Sequence, residues 1–248
     1  MIKIRDVTLG QGTAKIIAPV TAKSQAEIIA QAREIINLNQ VDLIEWRADF
    51  YEDILNKKNL LEILKNLRAE LNAVPLIFTL RTQSEGGEFN YGFKDYCVLN
   101  LFAAQSKCVD IIDAEILDLN LAKDLIKLIK DKGCYVIGSK HNFKFTPAPE
   151  KIIKILHRAK LAGADVLKAA FMPESKLDVI NLIYASGLYH AENPDDLILT
   201  ISMGELGKIS RAACNLTGSC ATFGAVKASS APGQINAVDL RNILDILN

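Results

Sequence analysis

The residues of this chain that could do chemistry are polar side chains set into apolar, strand-like runs. In Val41-Asp42-Leu43-Ile44-Glu45-Trp46-Arg47 the two-residue period of a strand puts Glu45 and Arg47 on one face. Thr79 and Arg81 share a face at the end of the run 75–80, as do Asp113 and Glu115 in 109–116 and Thr200 and Ser202 in 197–202. Lys168 shares a face with Val166 and Ala170. A lysine between Leu167 and Ala169 is costly to desolvate, and burial together with cations such as Arg47, Arg81 or Arg211 favours its free amine. A free amine is what Schiff-base formation on a carbonyl requires. The plainer alternative is a strand-end lysine that reaches solvent.

Of the three histidines, His157 falls in a helical stretch rich in Lys and Arg, and is expected at the surface. His190 is expected in a polar connection before Asn193-Pro194. His141 follows directly from a strand-like run, in Ser139-Lys140-His141-Asn142-Phe143. An imidazole with an ordinary pKa of about 6.5 can move protons in both directions near neutrality. Two small-residue loops complete the set: Glu85-Gly86-Gly87-Glu88, and Ser229-Ser230-Ala231-Pro232-Gly233-Gln234. Either is an ordinary turn or a segment that closes over a ligand.

The elements that must position these groups alternate along the chain. Strand-like runs at 15–20, 41–46, 75–80, 109–116, 134–138, 165–170, 197–202 and 219–226 are separated or followed by amphipathic stretches of helical period. These stretches begin near Gln25, cover 59–71 and 91–105, and carry Leu121, Leu125, Leu128 and Ile129 in one row. Thr146 is expected to cap the next helix with Pro147 at its first position, and Ser175 with Asp178 forms a capping-box pattern. Leu240, Ile243, Leu244 and Leu247 share a face of the last helix. Repeated strand-then-helix units imply a parallel α/β sheet, and the lack of G-x-G-x-x-G after the first strand disfavours an open dinucleotide-binding sheet. The reading is a (β/α)8 TIM barrel forming one catalytic domain over 1–248. Ile2, Ile4 and Val7 form an N-terminal β-hairpin that closes its bottom. The polar groups then cluster at the C-terminal ends of the strands, where barrels of this kind carry their active sites.

Bulk composition agrees. The chain has 248 residues, half of them hydrophobic, and its 29 basic and 29 acidic residues cancel, which argues against a broad basic field for nucleic acid or membrane surfaces. No apolar run reaches the ~20 residues of a membrane span, and no basic start followed by an apolar core suggests a leader. The five cysteines form no CxxC pair and are expected as free thiols in a reducing, cytoplasmic setting.

Several segments resemble the type I 3-dehydroquinate dehydratases: Ile44-Glu45-Trp46-Arg47-Ala48-Asp49, Phe78-Thr79-Leu80-Arg81 with Glu85-Gly86-Gly87-Glu88, Ser139-Lys140-His141-Asn142-Phe143 and Lys168-Ala169-Ala170-Phe171-Met172-Pro173. Further matches are Ser202-Met203-Gly204, Ile209-Ser210-Arg211, Ala221-Thr222-Phe223-Gly224 and Ser230-Ala231-Pro232-Gly233-Gln234. The resemblance runs in order from about residue 14 to the end. It implies a homodimeric barrel lyase of the shikimate pathway, and so of aromatic amino-acid biosynthesis. Such an enzyme takes 3-dehydroquinate to 3-dehydroshikimate by syn elimination, without metal or organic cofactor. By position, Lys168 would be the Schiff-base lysine, His141 the general acid–base and Glu85 its carboxylate partner. Arg211 would hold the substrate carboxylate, and Glu45, Arg47, Arg81, Ser230 and Gln234 would bind substrate and order the last loop. Met203 and Phe223 would line the pocket. The resemblance assigns no role to Pro19-Val20-Thr21, and the alanines after Lys168 depart from a β-branched pattern in the core. The chain ends shortly after its eighth helix, and the further catalytic domains fused to this barrel in multifunctional relatives are expected to be lacking. A Schiff-base aldolase on a similar barrel and a non-catalytic binding module remain as the other readings.

Overall fold

The computed structural model describes residues 1–226 and 233–247. Strands β1 (Ile2–Ile4) and β2 (Val7–Leu9) form an antiparallel hairpin. The chain then runs through β3 (Lys15–Val20), α1 (Gln25–Asn37), β4 (Leu43–Arg47), α2 (Lys57–Leu71), β5 (Leu76–Thr79), α3 (Phe93–Gln105), β6 (Ile111–Glu115) and α4 (Leu119–Lys130). It continues with β7 (Tyr135–Asn142), α5 (Pro149–Leu161), β8 (Val166–Phe171), α6 (Lys176–Glu192) and β9 (Leu197–Ser202). Two short helices, α7 (Lys208–Ala212) and α8 (Cys214–Thr217), precede β10 (Ala221–Ala225), β11 (Ile235–Asn236) and α9 (Ala237–Leu247). From β3 to β9 each strand pairs in parallel with the next, and β10 pairs in parallel with β3. The Cys220 amide donates to the Ile198 carbonyl at 2.9 Å beside a parallel bridge between Ile198 and Ser219, joining β9 to the entry of β10. The expected α/β barrel is the fold.

Strand alternation sorts the side chains into two cores. Ile44, Trp46, Phe78, Ile112, Val136, Leu167 and Ala169 pack outward against the helices, with Ile28, Leu64, Ile126 and Leu182 among their partners. Ile17, Leu43, Ile77, Ile111, Ile137, Val166, Leu199 and Ala221 fill the barrel interior, together with Ile4 and Leu9 of the hairpin. The hairpin therefore plugs the N-terminal mouth, where a Tyr135 hydroxyl donates to the Lys3 carbonyl at 3.3 Å and Arg5 pairs with Asp110 at 2.7 Å. Two residues further along each of several strands, the inward positions change from aliphatic to polar: Glu45, Thr79, Asp113, Ser139 and Lys168, all buried.

Several expectations need correction. Thr200 and Ser202 share a face, but it is the outer one. Leu199 and Ile201 belong to the interior cluster, while Thr200 meets the Ser219 hydroxyl at 3.2 Å and the Ser202 amide donates to the Ser210 hydroxyl oxygen at 2.9 Å. A period of two says which residues share a face but not which way that face points. Strand β7 extends through His141 to Asn142, so His141 lies within a strand. Pro149, not Pro147, opens α5, whose N-cap is Ala148; the Thr146 hydroxyl instead donates to the Met172 carbonyl at 3.0 Å. In α4 the buried row is Ala122, Leu125, Ile126 and Ile129, and Leu121 and Leu128 are exposed. His190 lies in the last turn of α6, and His157 is half-buried with its ring 4.9 Å from that of Tyr189. The Ser175–Asp178 capping box is present. All five cysteines are free thiols, and among the described residues no helix is long and apolar enough to cross a membrane.

Candidate active site

A cleft of about 540 Å³, open to solvent, sits at the C-terminal ends of the strands. It is lined by Glu45 and Arg47 of β4, Arg81 and Glu85 after β5, His141 of β7, Lys168 of β8, Met203 after β9, Arg211 of α7, Phe223 of β10, and Gln234. Every residue singled out for the site is thus gathered in one cleft except Ser230, which lies outside the described residues. Gly86, Phe143, Ala170 and Ile201 also line it.

Lys168 is buried, but its nearest charges are anions. Its Nζ donates to Asp113 Oδ2 at 2.9 Å, lies 3.6 Å from Glu45 Oε1, and sits 4.7 Å from the centre of the Phe223 ring. The expectation of a lysine ringed by cations is therefore corrected. Arg47 is tied to Asp49 by two bonds of 2.8 Å, and Arg81 is engaged by its own carboxylates.

Arg81 is the hub of the buried polar network. Its Nη2 is 2.8 Å from Asp113 Oδ1, and its Nη1 donates to Glu115 at 2.9 Å and to the Ser139 hydroxyl at 3.0 Å. Burial disfavours its charge, but Asp113, Glu115 and Glu85 outweigh that and hold its pKa well above the usual arginine range. Burial pushes Asp113 up, yet Arg81 and Lys168 outweigh burial and keep it well below the usual carboxylate range. Arg211, 2% exposed, is pushed by burial down to about 10 and so stays charged at neutral pH; its Nε donates to the Gly233 carbonyl at 2.9 Å.

His141 and Glu85 form a directed pair. Glu85 Oε2 accepts the backbone amide of His141 at 2.9 Å and lies 3.0 Å from its Nδ1. Because an ionised carboxylate oxygen can only accept, the ring contact is made with the proton on Nδ1, which leaves Nε2 unprotonated. Burial, then Arg81 and Lys168, hold the His141 pKa well below the usual value, so the imidazole is neutral around pH 7. Lys140 donates to Glu85 Oε1 at 2.7 Å from the other side. Glu85 is positioned by a short turn that tolerates no side chain at two places. Gly86 has φ of 81° with the Phe143 ring against it, and a Cβ on Gly87 would come 2.1 Å from the Arg81 carbonyl oxygen. Glu88, by contrast, is exposed, and its amide donates to Asp49.

Sequence reasoning noted Asp113 and Glu115 as sharing a face but gave them no place in the site, and it did not single out the Ser139 side chain. The signal was there for the first two, as inward carboxylates on a strand. Their bonding to Arg81 and Lys168 appears only once the strands are neighbours. Among the described residues, no cluster of three or more His, Cys, Asp or Glu side chains is arranged to hold a metal ion.

A buried lysine and a carboxylate-paired imidazole, both at the C-terminal rim of a closed parallel barrel, mark the class: an α/β barrel with a polar cleft at the strand ends. Residues 16–248 match the family model described as type I 3-dehydroquinase. The chain is 38% identical over 249 residues to a 3-dehydroquinate dehydratase of Clostridium botulinum, covering 100% of this chain and 98% of that protein. It is 40% identical, with the same coverage, to one of Bacillus licheniformis. A crystal structure of the type I 3-dehydroquinate dehydratase of Clostridium difficile with covalently modified comenic acid superposes with a TM-score of 0.95 at 36% identity, covering 99% of this chain and 97% of that one. The chain therefore belongs to the type I 3-dehydroquinase family, whose members are carbon–oxygen lyases of the hydro-lyase class.

Proposed function

We propose that this chain dehydrates 3-dehydroquinate to 3-dehydroshikimate through a Schiff base on Lys168, as a step of the shikimate pathway. The observation that carries the reading is the joint presence in one cleft of Lys168 and the His141–Glu85 pair. The Lys168 nitrogen passes a proton to His141 and adds to the C3 ketone, and the carbinolamine takes that proton back from His141 as its hydroxyl leaves as water, giving an iminium and a bare His141. The iminium withdraws electrons from the adjacent C2–H bond, and the bare His141 Nε2 takes that proton to give an enamine. The enamine expels the C1 hydroxyl with a proton returned by His141, and hydrolysis of the new imine frees product and lysine. One histidine serving both the C2 proton and the C1 hydroxyl works from one face, which favours syn elimination. Glu85 orients the imidazole and supports its charged form. Arg211 binds the substrate carboxylate, and Glu45, Arg47, Arg81, Ser230 and Gln234 bind its polar groups and order the last loop. Met203 and Phe223 supply apolar walls.

The same reading takes residues 1–248 as one catalytic domain acting on a small molecule in the cytoplasm, as a homodimer. An exposed row on α6, formed by Leu177, Ile180 and Tyr184, is apolar surface of the kind that a second copy covers. Sedimentation at micromolar concentration should give twice the chain mass; a monomer would refute the dimer and leave the chemistry intact.

The chemistry is tested by incubating the protein with 3-dehydroquinate and borohydride and mapping the adduct. The expected result is a reduced adduct on Lys168 with activity lost in step, and no turnover by Lys168→Ala. Dehydration without an adduct would refute the Schiff base. Cleavage of a carbon–carbon bond would turn the assignment to an aldolase.

A further inference from the structure

We propose that Asp113 is the positioning residue of the Lys168 nitrogen: it aims the amine into the cleft and stands opposite the positive charge that forms on the nitrogen in the iminium. The inference rests on the Schiff-base reading above and goes beyond it by naming a carboxylate that does not line the cleft. Asp113 is 1% exposed and lies behind Lys168. Each of its oxygens has an assigned partner. Oδ1 accepts the Ser139 hydroxyl at 2.5 Å and faces Arg81 Nη2 at 2.8 Å, while Oδ2 accepts Lys168 Nζ at 2.9 Å. A carboxylate pinned on one side by a guanidinium and a hydroxyl has its second oxygen fixed in direction, so the lysine nitrogen is fixed with it.

Glu45 is the other carboxylate near the nitrogen, and it is less suited to this task. It is more distant, at 3.6 Å, its Oε1 already accepts the Thr79 hydroxyl at 2.9 Å, and it faces the cleft. The Phe223 ring completes the surroundings of the nitrogen from the cleft wall. Bond-making leaves this arrangement intact. An ammonium and a ketone give an iminium and water: the nitrogen yields one proton before it attacks, is neutral in the carbinolamine, and regains positive charge as the hydroxyl leaves, keeping one N–H. That N–H can retain its bond to Oδ2 throughout. In a water-poor interior a fixed anion beside a developing cation needs no reorganisation at the moment of reaction, which is the condition under which electrostatic stabilisation is largest. Arg81 holds Asp113 ionised and so serves the amine at one remove.

A buried ion pair that merely held the barrel together would predict lost stability but a normal reaction rate in the molecules that fold. Asp113→Asn keeps the volume and one acceptor while removing the charge. We expect kcat to fall by about 10²-fold with KM changed less than about threefold, and the borohydride-trapped adduct on Lys168 to form more slowly by the same factor. Adduct formation at the wild-type rate in folded Asp113→Asn protein would overturn the proposal. Should that variant fail to fold, Ser139→Ala decides, because it removes one partner of Oδ1 with little change in volume. Adduct formation slowed several-fold at unchanged KM supports the proposal, and an unchanged rate overturns it. Absence of any adduct in the wild type would instead sink the Schiff-base reading, so the two failures are distinguishable.

Discussion

At the scale of single residues, the site depends on which groups are left ionised and which are not. His141 is kept neutral by burial and by nearby cations, Arg81 and Lys168 foremost, and its Nδ1 faces a carboxylate oxygen that also holds its backbone amide. Glu85→Gln keeps the shape but replaces an anion with a neutral amide. The expected outcome is a loss in kcat of about 10²-fold, within the range for general acid–base catalysis, with a smaller change in KM. Steady-state kinetics at pH 7 checks it. For the unmodified enzyme, the acid limb of kcat/KM that reports His141 should fall below pH 6.5, since its pKa is lowered in the free protein. Much of this was legible in the chain because a charge inside an apolar strand is conspicuous, as Lys168 and Glu45 are. What could not be read was the sign of the surroundings. The arginines expected around Lys168 are present, but Arg47 is held by Asp49, Arg81 by Asp113 and Arg211 by the Gly233 carbonyl, and the Arg81 and Lys168 pairings with Asp113 depend on contacts between strands far apart in sequence.

At the scale of elements, a repeated device secures the strands at the end opposite the cleft. Asp42, Asp110 and Asp165 each sit just before an even-numbered strand, β4, β6 and β8, and accept a backbone amide near the start of the strand before it. The amides are those of Ile16 at 2.7 Å, Leu76 at 2.8 Å and Val136 at 2.8 Å. Each aspartate also meets a basic side chain: Arg241 for Asp42, Arg5 and Arg68 for Asp110, and Lys130 for Asp165. Asp165→Ala leaves the Val136 amide without its side-chain acceptor, so stability should drop by about 1–3 kcal/mol. For a chain of this size that corresponds to a Tm lower by roughly 3–10 °C, measurable by calorimetry, with kcat and KM unchanged because the cleft lies at the other end. A fall in kcat at unaltered Tm would refute this division of labour. The strand-helix order was readable from hydrophobic period alone, whereas element ends were not. Pro147 and Pro149 are equally suited to a first helical turn, and only the engagement of Thr146 with the Met172 carbonyl shows why the helix waits for the second. The α4 row differs for a related reason: Leu121 and Leu128 have the right spacing, but the face toward the barrel is the one carrying Ala122 and Ile126.

At the scale of the whole molecule, the barrel interior is divided along its axis into an aliphatic lower half sealed by the hairpin and a charged upper half open to substrate. The upper half is a set of titrating groups whose effects on stability do not all have the same sign. Burial leads in raising Glu85 and Glu115, so the native state takes up protons there before the unfolded chain does, and acidification toward the ordinary glutamate range favours folding at those sites. His141 works the other way. Its pKa is lowered on folding, so below about pH 6.5 the unfolded chain binds a proton that the native state refuses, and stability falls as pH falls through that window. Asp113, lowered despite its burial, adds loss only below the ordinary aspartate range. Between pH 6.5 and 5.5 the His141 contribution can therefore be isolated by comparison with His141→Gln, which cannot take up a proton. Denaturant unfolding should show the variant gaining on the wild type as pH is lowered, by up to about 1.4 kcal/mol per pH unit. A stability difference that stays constant over that range would mean that the imidazole takes up its proton in the native state as readily as in the unfolded one. The neutral base on which the proposed elimination depends would then not be maintained by the fold.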